Sequence, residues 1–229
     1  PIPGVPVNDD EDCETFYPDQ VVPAEHHQLI NEAFEQVERG DAKRVMLFMP
    51  PGSAKTTYAS VIAPTWFMGK KSGRNIIAVS YGSDLAKKFA RRCRSIVRSK
   101  EYNEVFDCHP TGDNSAVDDW SLTNGSTYMA GGILSGITGN RADLLIADDP
   151  IKGREEADSE TIREKVWEAY KSDLRTRLKP GGSIVVIMTR WHEDDLAGRI
   201  LPENYEGESG WIEAKDGEEW LILNLAAQC

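Results

Sequence analysis

Cysteine is scarce in this chain. Its 229 residues hold four, Cys13, Cys93, Cys108 and Cys229, with no C-x-x-C spacing. That excludes a disulfide framework and a zinc ribbon, and fits free thiols in a reducing cytoplasm. Histidine is equally sparse. Of four, only His26 and His27 are neighbours, and none stands at metal-ligand spacing from a cysteine, which speaks against a structural zinc site. No apolar run is long enough to span a bilayer, and residues 1–14, Pro-rich and then acidic, carry no signal-peptide pattern. Positive charge is also short: 26 Lys and Arg against 38 Asp and Glu leave a net −12. Affinity for nucleic acid comes largely from cations that neutralise phosphates. Any such contact must therefore come from a local patch or from a partner.

What is present is an alternation of helical and strand patterns without internal repeats. Residues 25–39 carry Ile30, Ala33, Phe34 and Val37 at helical spacing, closed by Gly40. Short apolar or β-branched runs predict strands at 45–48, 75–80, 126–130, 144–148, 183–189 and 220–225. Between them a helix is expected from 55 to 63, kinked or ended by Pro64. A second places Leu85, Phe89, Cys93 and Ile96 on one face, with Ser83 as its cap. A third runs from 160 to 178, ended by Pro180-Gly181-Gly182, while residues 102–124 read as turn-rich and irregular. The expectation is an α/β fold with a mainly parallel central sheet flanked by helices. It forms one domain over 1–229: an extension at 1–24, a core at 25–200, and a final strand and linker start at 201–229.

One helix stands out by charge. Opposite its apolar face it gathers Lys87, Lys88, Arg91, Arg92, Arg94 and Arg98. Two readings fit: a solvated face, or a contact for a DNA backbone or an acidic neighbouring subunit.

The most specific segment is MPPGSAKTT, residues 49–57, directly after the strand at 45–48. A strand, a small-residue turn, Lys-Thr and then a helix are the parts that hold a nucleoside triphosphate. Turn N–H groups and the helix dipole face the phosphates. Lys55 supplies a point charge to the β/γ-phosphates and Thr56 a hydroxyl to Mg²⁺. Pro51, Gly52, Ser53, Ala54 and Thr57 complete the candidate nucleotide loop. The usual pattern is G-x-x-x-x-G-K-[ST], and here Met49 and Ala54 replace both glycines. Alone, the segment also reads as a Pro-Gly turn between strand and helix.

The second half of the site is Leu144-Leu145-Ile146-Ala147-Asp148-Asp149-Pro150. A buried strand delivers two carboxylates at its C-terminal end, where open α/β sheets bind ligands. Asp148 is the candidate Mg²⁺ ligand, and Asp149 the group that orients or deprotonates the attacking water; the alternative is an Asp-Asp-Pro turn that caps a helix. Arg141, just before this strand, is a candidate transition-state arginine, a contribution worth about 10³–10⁵ in rate; the alternative is a loop arginine paired with Asp143. Thr189, at the end of the next strand, is a candidate γ-phosphate sensor; the alternative is an ordinary strand-end turn. His192, in the following Trp191-His192-Glu193-Asp194-Asp195 run, reads as a capping or packing residue.

MPPGSAKTTYAS, LLIADDPIK and VVIMTRWHEDDLAGRI, in that order, resemble the ATPase domain of phage terminase large subunits over about residues 25–225. The resemblance implies a P-loop NTPase of the additional-strand type (ASCE, RecA/helicase-like), with ATP and Mg²⁺ as cofactors. Lys55 and Thr56 then bind phosphate and Mg²⁺, and Asp148 binds the metal. Asp149 takes a catalytic position often held by Glu, Thr189 falls in the motif coupling hydrolysis to DNA movement, and Arg141 acts on a neighbour's nucleotide. Implied partners are double-stranded DNA, the portal protein of the procapsid, the small terminase subunit and further copies in a ring, the isolated domain being monomeric. The implied location is the cytoplasm of an infected bacterial host. Such subunits normally continue into a nuclease domain; the remaining carboxylates form no nuclease cluster, so no cleavage is expected. Tyr17, Gln20 and Gln28 lie where a base-contacting segment would sit.

Overall fold

A computed structural model describes residues 23–137 and 139–225. Among these residues nine strands form one mixed sheet. They are β1 (Arg44–Phe48), β2 (Asn75–Ser80), β3 (Pro110–Ser115), β4 (Asp119–Leu122), β5 (Thr127–Gly132), β6 (Ala142–Asp148), β7 (Leu178–Met188), β8 (Gly210–Glu213) and β9 (Glu219–Asn224), in the spatial order 3-4-5-2-6-7-1-9-8. The six central strands are parallel; β3, β4 and β8 are antiparallel additions at the two edges. β7 lies between the strand before the phosphate loop and the strand bearing Asp148. That inserted strand defines the additional-strand arrangement, and it brings the ends of β1, β6 and β7 side by side.

The central strands are continuous apolar runs because both faces are covered. Along β1, Val45 and Leu47 face one core and Met46 and Phe48 the other; Ile76 and Ala78 alternate with Ile77 and Val79 on β2 in the same way. The first core is closed by α1 (Glu25–Arg39), α2 (Ala63–Lys70) and α3 (Ser83–Arg98), with α4 (Lys100–Phe106) beside them. The second is closed by α5 (Arg154–Asp158), α6 (Glu160–Glu168) and α7 (Leu196–Ile200).

Several expectations are corrected. The helix after the phosphate loop does not end at Pro64. It widens into a π-helical turn, Thr57–Ile62, and then continues as α2 to Lys70. In a regular helix the proline ring would clash with the Ser60 carbonyl. Here that carbonyl accepts from Cys93 Sγ at 3.4 Å, while the Thr65 hydroxyl donates to Val61 and Ile62 carbonyls at 3.2 and 2.8 Å. The freed groups of the π-turn thus find side-chain donors. Ser83 does not cap α3. Gly82 is the cap residue, and Ser83 Oγ accepts from the Gly132 N–H at 3.2 Å. Residues 102–124 are ordered into α4, β3 and β4. After Glu168 the third helix passes through a π turn (Ala169–Leu174) and a 3-10 turn (Arg175–Arg177), and Pro180-Gly181-Gly182 lies within β7. The register shift between Ala142 and Leu144 absorbs that irregularity. Cys93 and Cys108 are free and buried; Cys13 and Cys229 lie outside the described residues. Among the described residues no helix is long and apolar enough to cross a membrane.

The turn after β7 is tightly fitted. A Cβ on Gly198 would run into the Glu193 carbonyl, a backbone atom that cannot swing aside. Gly198→Ala is expected to destabilise the protein by about 1–3 kcal/mol, read as a lower urea midpoint with an unchanged slope.

Candidate nucleotide site at the ends of β1, β6 and β7

The helix begins at Lys55 because the preceding turn uses two left-handed residues, Gly52 at φ 80° and Ala54 at φ 57°. The second is the position where the usual pattern has glycine, so the torsion that glycine supplies freely is kept here by an alanine. Lys55 is buried to 6% exposure, yet its ammonium has three oxygen neighbours: Thr189 Oγ1 at 2.7 Å, the Met49 carbonyl at 3.3 Å and Asp149 Oδ2 at 3.4 Å. Asp149, itself left-handed at φ 42°, accepts the Thr189 N–H on its other oxygen at 3.1 Å. Lys55, Asp149 and Thr189, from the three adjacent strand ends, therefore form one closed cluster.

Asp148 sits behind that cluster and is almost fully buried. Ser60 Oγ donates to its Oδ2 at 2.7 Å, whereas Oδ1 has no partner among the described residues. Burial pushes its pKa up to about 7, aided by the charge of Asp149 and opposed by Ser60, Thr56 and Lys55. An orphaned buried carboxylate oxygen next to the Thr56 hydroxyl fits a hard divalent cation, which takes one or two protein oxygens and completes its shell with phosphate and water. A cage built from protein alone is not the arrangement: among the described residues no cluster of three His, Cys, Asp or Glu side chains exists.

An open cleft of about 320 Å³ lies over these groups, lined by residues 51–56, Asp149 and Thr189 together with Tyr81, Ile151, Lys152 and Trp191. The last four, and Ser60, escaped the sequence reading. Trp191, two residues after Thr189, and Ile151 and Lys152, directly after Asp149-Pro150, follow the candidate residues so closely in the chain that their place in the cleft is legible from it. Thr57 receives Arg92 Nη2 at 3.3 Å from α3. The basic helix is in part used internally: Lys87 pairs with Asp118 at 3.2 Å and Arg94 donates to the Ala116 carbonyl at 3.2 Å.

Arg141 is not in this cleft. It precedes β6 at the opposite end of the strand from Asp148, about 20 Å away at strand rise, farther than its side chain reaches. It is exposed, and Asp143 is taken by Lys179 at 2.7 Å and by the Asn75 N–H at 2.7 Å. Beyond Thr189, Asp195 caps α7 through the Gly198 N–H at 3.0 Å and accepts Arg190 Nε at 2.6 Å. His192 Nδ1 accepts the Asp194 N–H at 2.9 Å. Gln28 donates to the Pro23 carbonyl at 3.2 Å; Tyr17 and Gln20 lie outside the described residues.

A phosphate-loop turn, a carboxylate pair two strands away and an inserted strand between them define a P-loop NTPase fold of the additional-strand, RecA-like type. The family described as "Terminase large subunit, T4likevirus-type, N-terminal" matches residues 46–219, and the chain belongs to it. Among solved structures it is similar to the HK97 bacteriophage large terminase, at 13% identity and a TM-score of 0.55, covering 90% of this chain and 43% of that one. A mutant ATPase domain of the Thermus phage P74-26 large terminase is similar at 14% identity and a TM-score of 0.43, covering 73% of this chain and 70% of that one. At such identities the likeness is one of fold, and this chain spans less than half of the HK97 protein's length. No curated protein matches the sequence.

Proposed function

We propose that this domain hydrolyses ATP to drive double-stranded viral DNA into a procapsid, as the motor part of a large terminase subunit. The observation that carries the reading is the Lys55–Thr189–Asp149 cluster, with the orphaned Asp148 oxygen behind it. Phosphate oxygens replace Thr189 and Asp149 as neighbours of the Lys55 ammonium, which frees Asp149 to face the γ-phosphate. Asp149 then aligns the attacking water and accepts its proton as the β–γ bridging bond breaks. Thr56 and Asp148 would hold Mg²⁺, which would supply neutralisation of the charge that develops on the phosphates. Thr189, bonded to both Lys55 and Asp149, senses which of them has moved.

Arg141 serves a different copy. Exposed and at the far end of β6, it suits insertion against a neighbour's nucleotide in a ring docked on the portal, with the small terminase subunit delivering DNA. A lone domain therefore turns over slowly. The test is phosphate release from Mg²⁺-ATP with and without double-stranded DNA. Release above the no-enzyme rate supports an ATPase; tight nucleotide binding with no release would mark a docking module instead.

A further inference from the structure

His27, in the first turn of α1, reaches the phosphate loop. Its Nε2 lies 3.1 Å from the Ser53 carbonyl oxygen, and its Nδ1 lies 3.3 Å from the Ala24 nitrogen. Those partners settle the tautomer. The Ala24 N–H can only donate, so Nδ1 accepts; the carbonyl can only accept, so Nε2 carries the proton. The imidazole lies flat on Tyr58, with ring centroids 4.0 Å apart and planes 11° apart, and His26 packs edge-on at 3.9 Å. Burial lowers the His27 pKa, with a smaller push from His26, and so favours the neutral ring; the Ser53 hydrogen bond acts in the opposite direction and is outweighed.

Ser53 stands between the two left-handed residues of the loop, Gly52 and Ala54. Its hydroxyl donates to the Pro50 carbonyl at 2.8 Å while its carbonyl receives His27. Ser53 is thus held through both its side chain and its carbonyl, the carbonyl being one end of the peptide that leads into Ala54. Glycine at position 54 would adopt φ 57° without cost, but alanine there is strained. A loop that replaces its glycine needs an external hold, and the imidazole is placed to give one.

We propose that His27 is a positioning residue for the phosphate loop: its Nε2–H clamps the Ser53 carbonyl so that Ala54 keeps the left-handed turn in which the loop lines the cleft. The inference rests on the nucleotide-site reading above and deepens it. His27 touches no reacting group, so its removal weakens nucleotide binding and leaves the chemical step alone. The clamp also matters less once position 54 is glycine.

Affinity for a fluorescent ATP analogue with Mg²⁺ tests this in a cycle of four proteins: the native chain, His27→Phe, Ala54→Gly and the double variant. Phenylalanine keeps the stack on Tyr58 and deletes both the Nε2–H donor to Ser53 and the Nδ1 acceptor for Ala24, and the Ala54→Gly background isolates the part that acts through the loop. His27→Phe is expected to weaken binding about 5–10-fold, the worth of one hydrogen bond, with single-turnover phosphate release from saturated protein within about 2-fold of native. In the Ala54→Gly background the loss shrinks below about 3-fold, and His27→Gln, which keeps an amide donor, recovers part of it. Equal losses in both backgrounds, or none in either, would overturn the proposal. If His27→Phe melts early, His27→Gln paired with His27→Leu carries the same comparison. Absence of binding by the native chain would instead remove the nucleotide reading, and this inference with it.

Discussion

If the proposed site is the one that hydrolyses ATP, Lys55→Ala is expected to lower phosphate release on the order of 10³-fold while the protein stays folded. The ammonium is buried and held by Thr189, the Met49 carbonyl and Asp149, whereas Lys152, the other lysine lining the cleft, is exposed. Asp149 keeps its bond from the Thr189 N–H and remains partly open to solvent, which limits the destabilisation left behind. The check is phosphate release beside a thermal melt. Unchanged hydrolysis in a folded Lys55→Ala protein would remove the site assignment.

Asp148→Asn has two effects of opposite sign. Mg²⁺-dependent nucleotide binding and turnover are lost, because an amide is a poor substitute for a carboxylate as a ligand to a hard cation. Stability rises, and the sign follows from the raised pKa. The native carboxyl is pushed up to about 7 by burial, whereas in the unfolded chain it ionises near its ordinary value. Between those two values the folded state binds more protons, so stability falls as pH rises through the window and the full penalty stands above it. Asparagine removes the penalty. The variant is therefore expected to be stabilised relative to native by on the order of 4 kcal/mol at pH 8, with the difference vanishing below about pH 4. Denaturant titrations at pH 5 and pH 8 read it directly; a gap that does not widen with pH would mean Asp148 is ionised in the resting fold.

The parts of the site most legible in the sequence were those carried by continuous apolar strands. Residues 144–148 and 45–48 are buried on both faces, so their runs announce central strands, and the polar residues at their ends announce a ligand edge. Lys55, Asp148, Asp149 and Thr189 converge because of that topology. Ser60 was hidden, since its meeting with Asp148 occurs across 88 residues, and no spacing rule links a hydroxyl in a π-turn to a distant strand. The same holds for His27 and Ser53. The antiparallel strands β3, β4 and β8 are not legible: β4 and β8 have only four residues each, and the Pro-Thr-Gly-Asp-Asn-Ser of β3 carries turn chemistry rather than alternation. Arg141 read as a neighbour of the catalytic strand, as it is in sequence; the strand's length is what places it at the other end of the sheet.

The central claim, that the cluster at the strand ends performs hydrolysis and not only binding, turns on Asp149. Its side chain is one methylene shorter than the glutamate common at this place, and it begins paired with Lys55 at 3.4 Å. The most direct measurement is single-turnover phosphate release by concentrated protein saturated with Mg²⁺-ATP, native against Asp149→Asn, with affinity measured on the same samples. The predicted result is nucleotide affinity within a few-fold of native and release slowed on the order of 10²-fold or more. Release at the native rate from the asparagine variant would contradict the account.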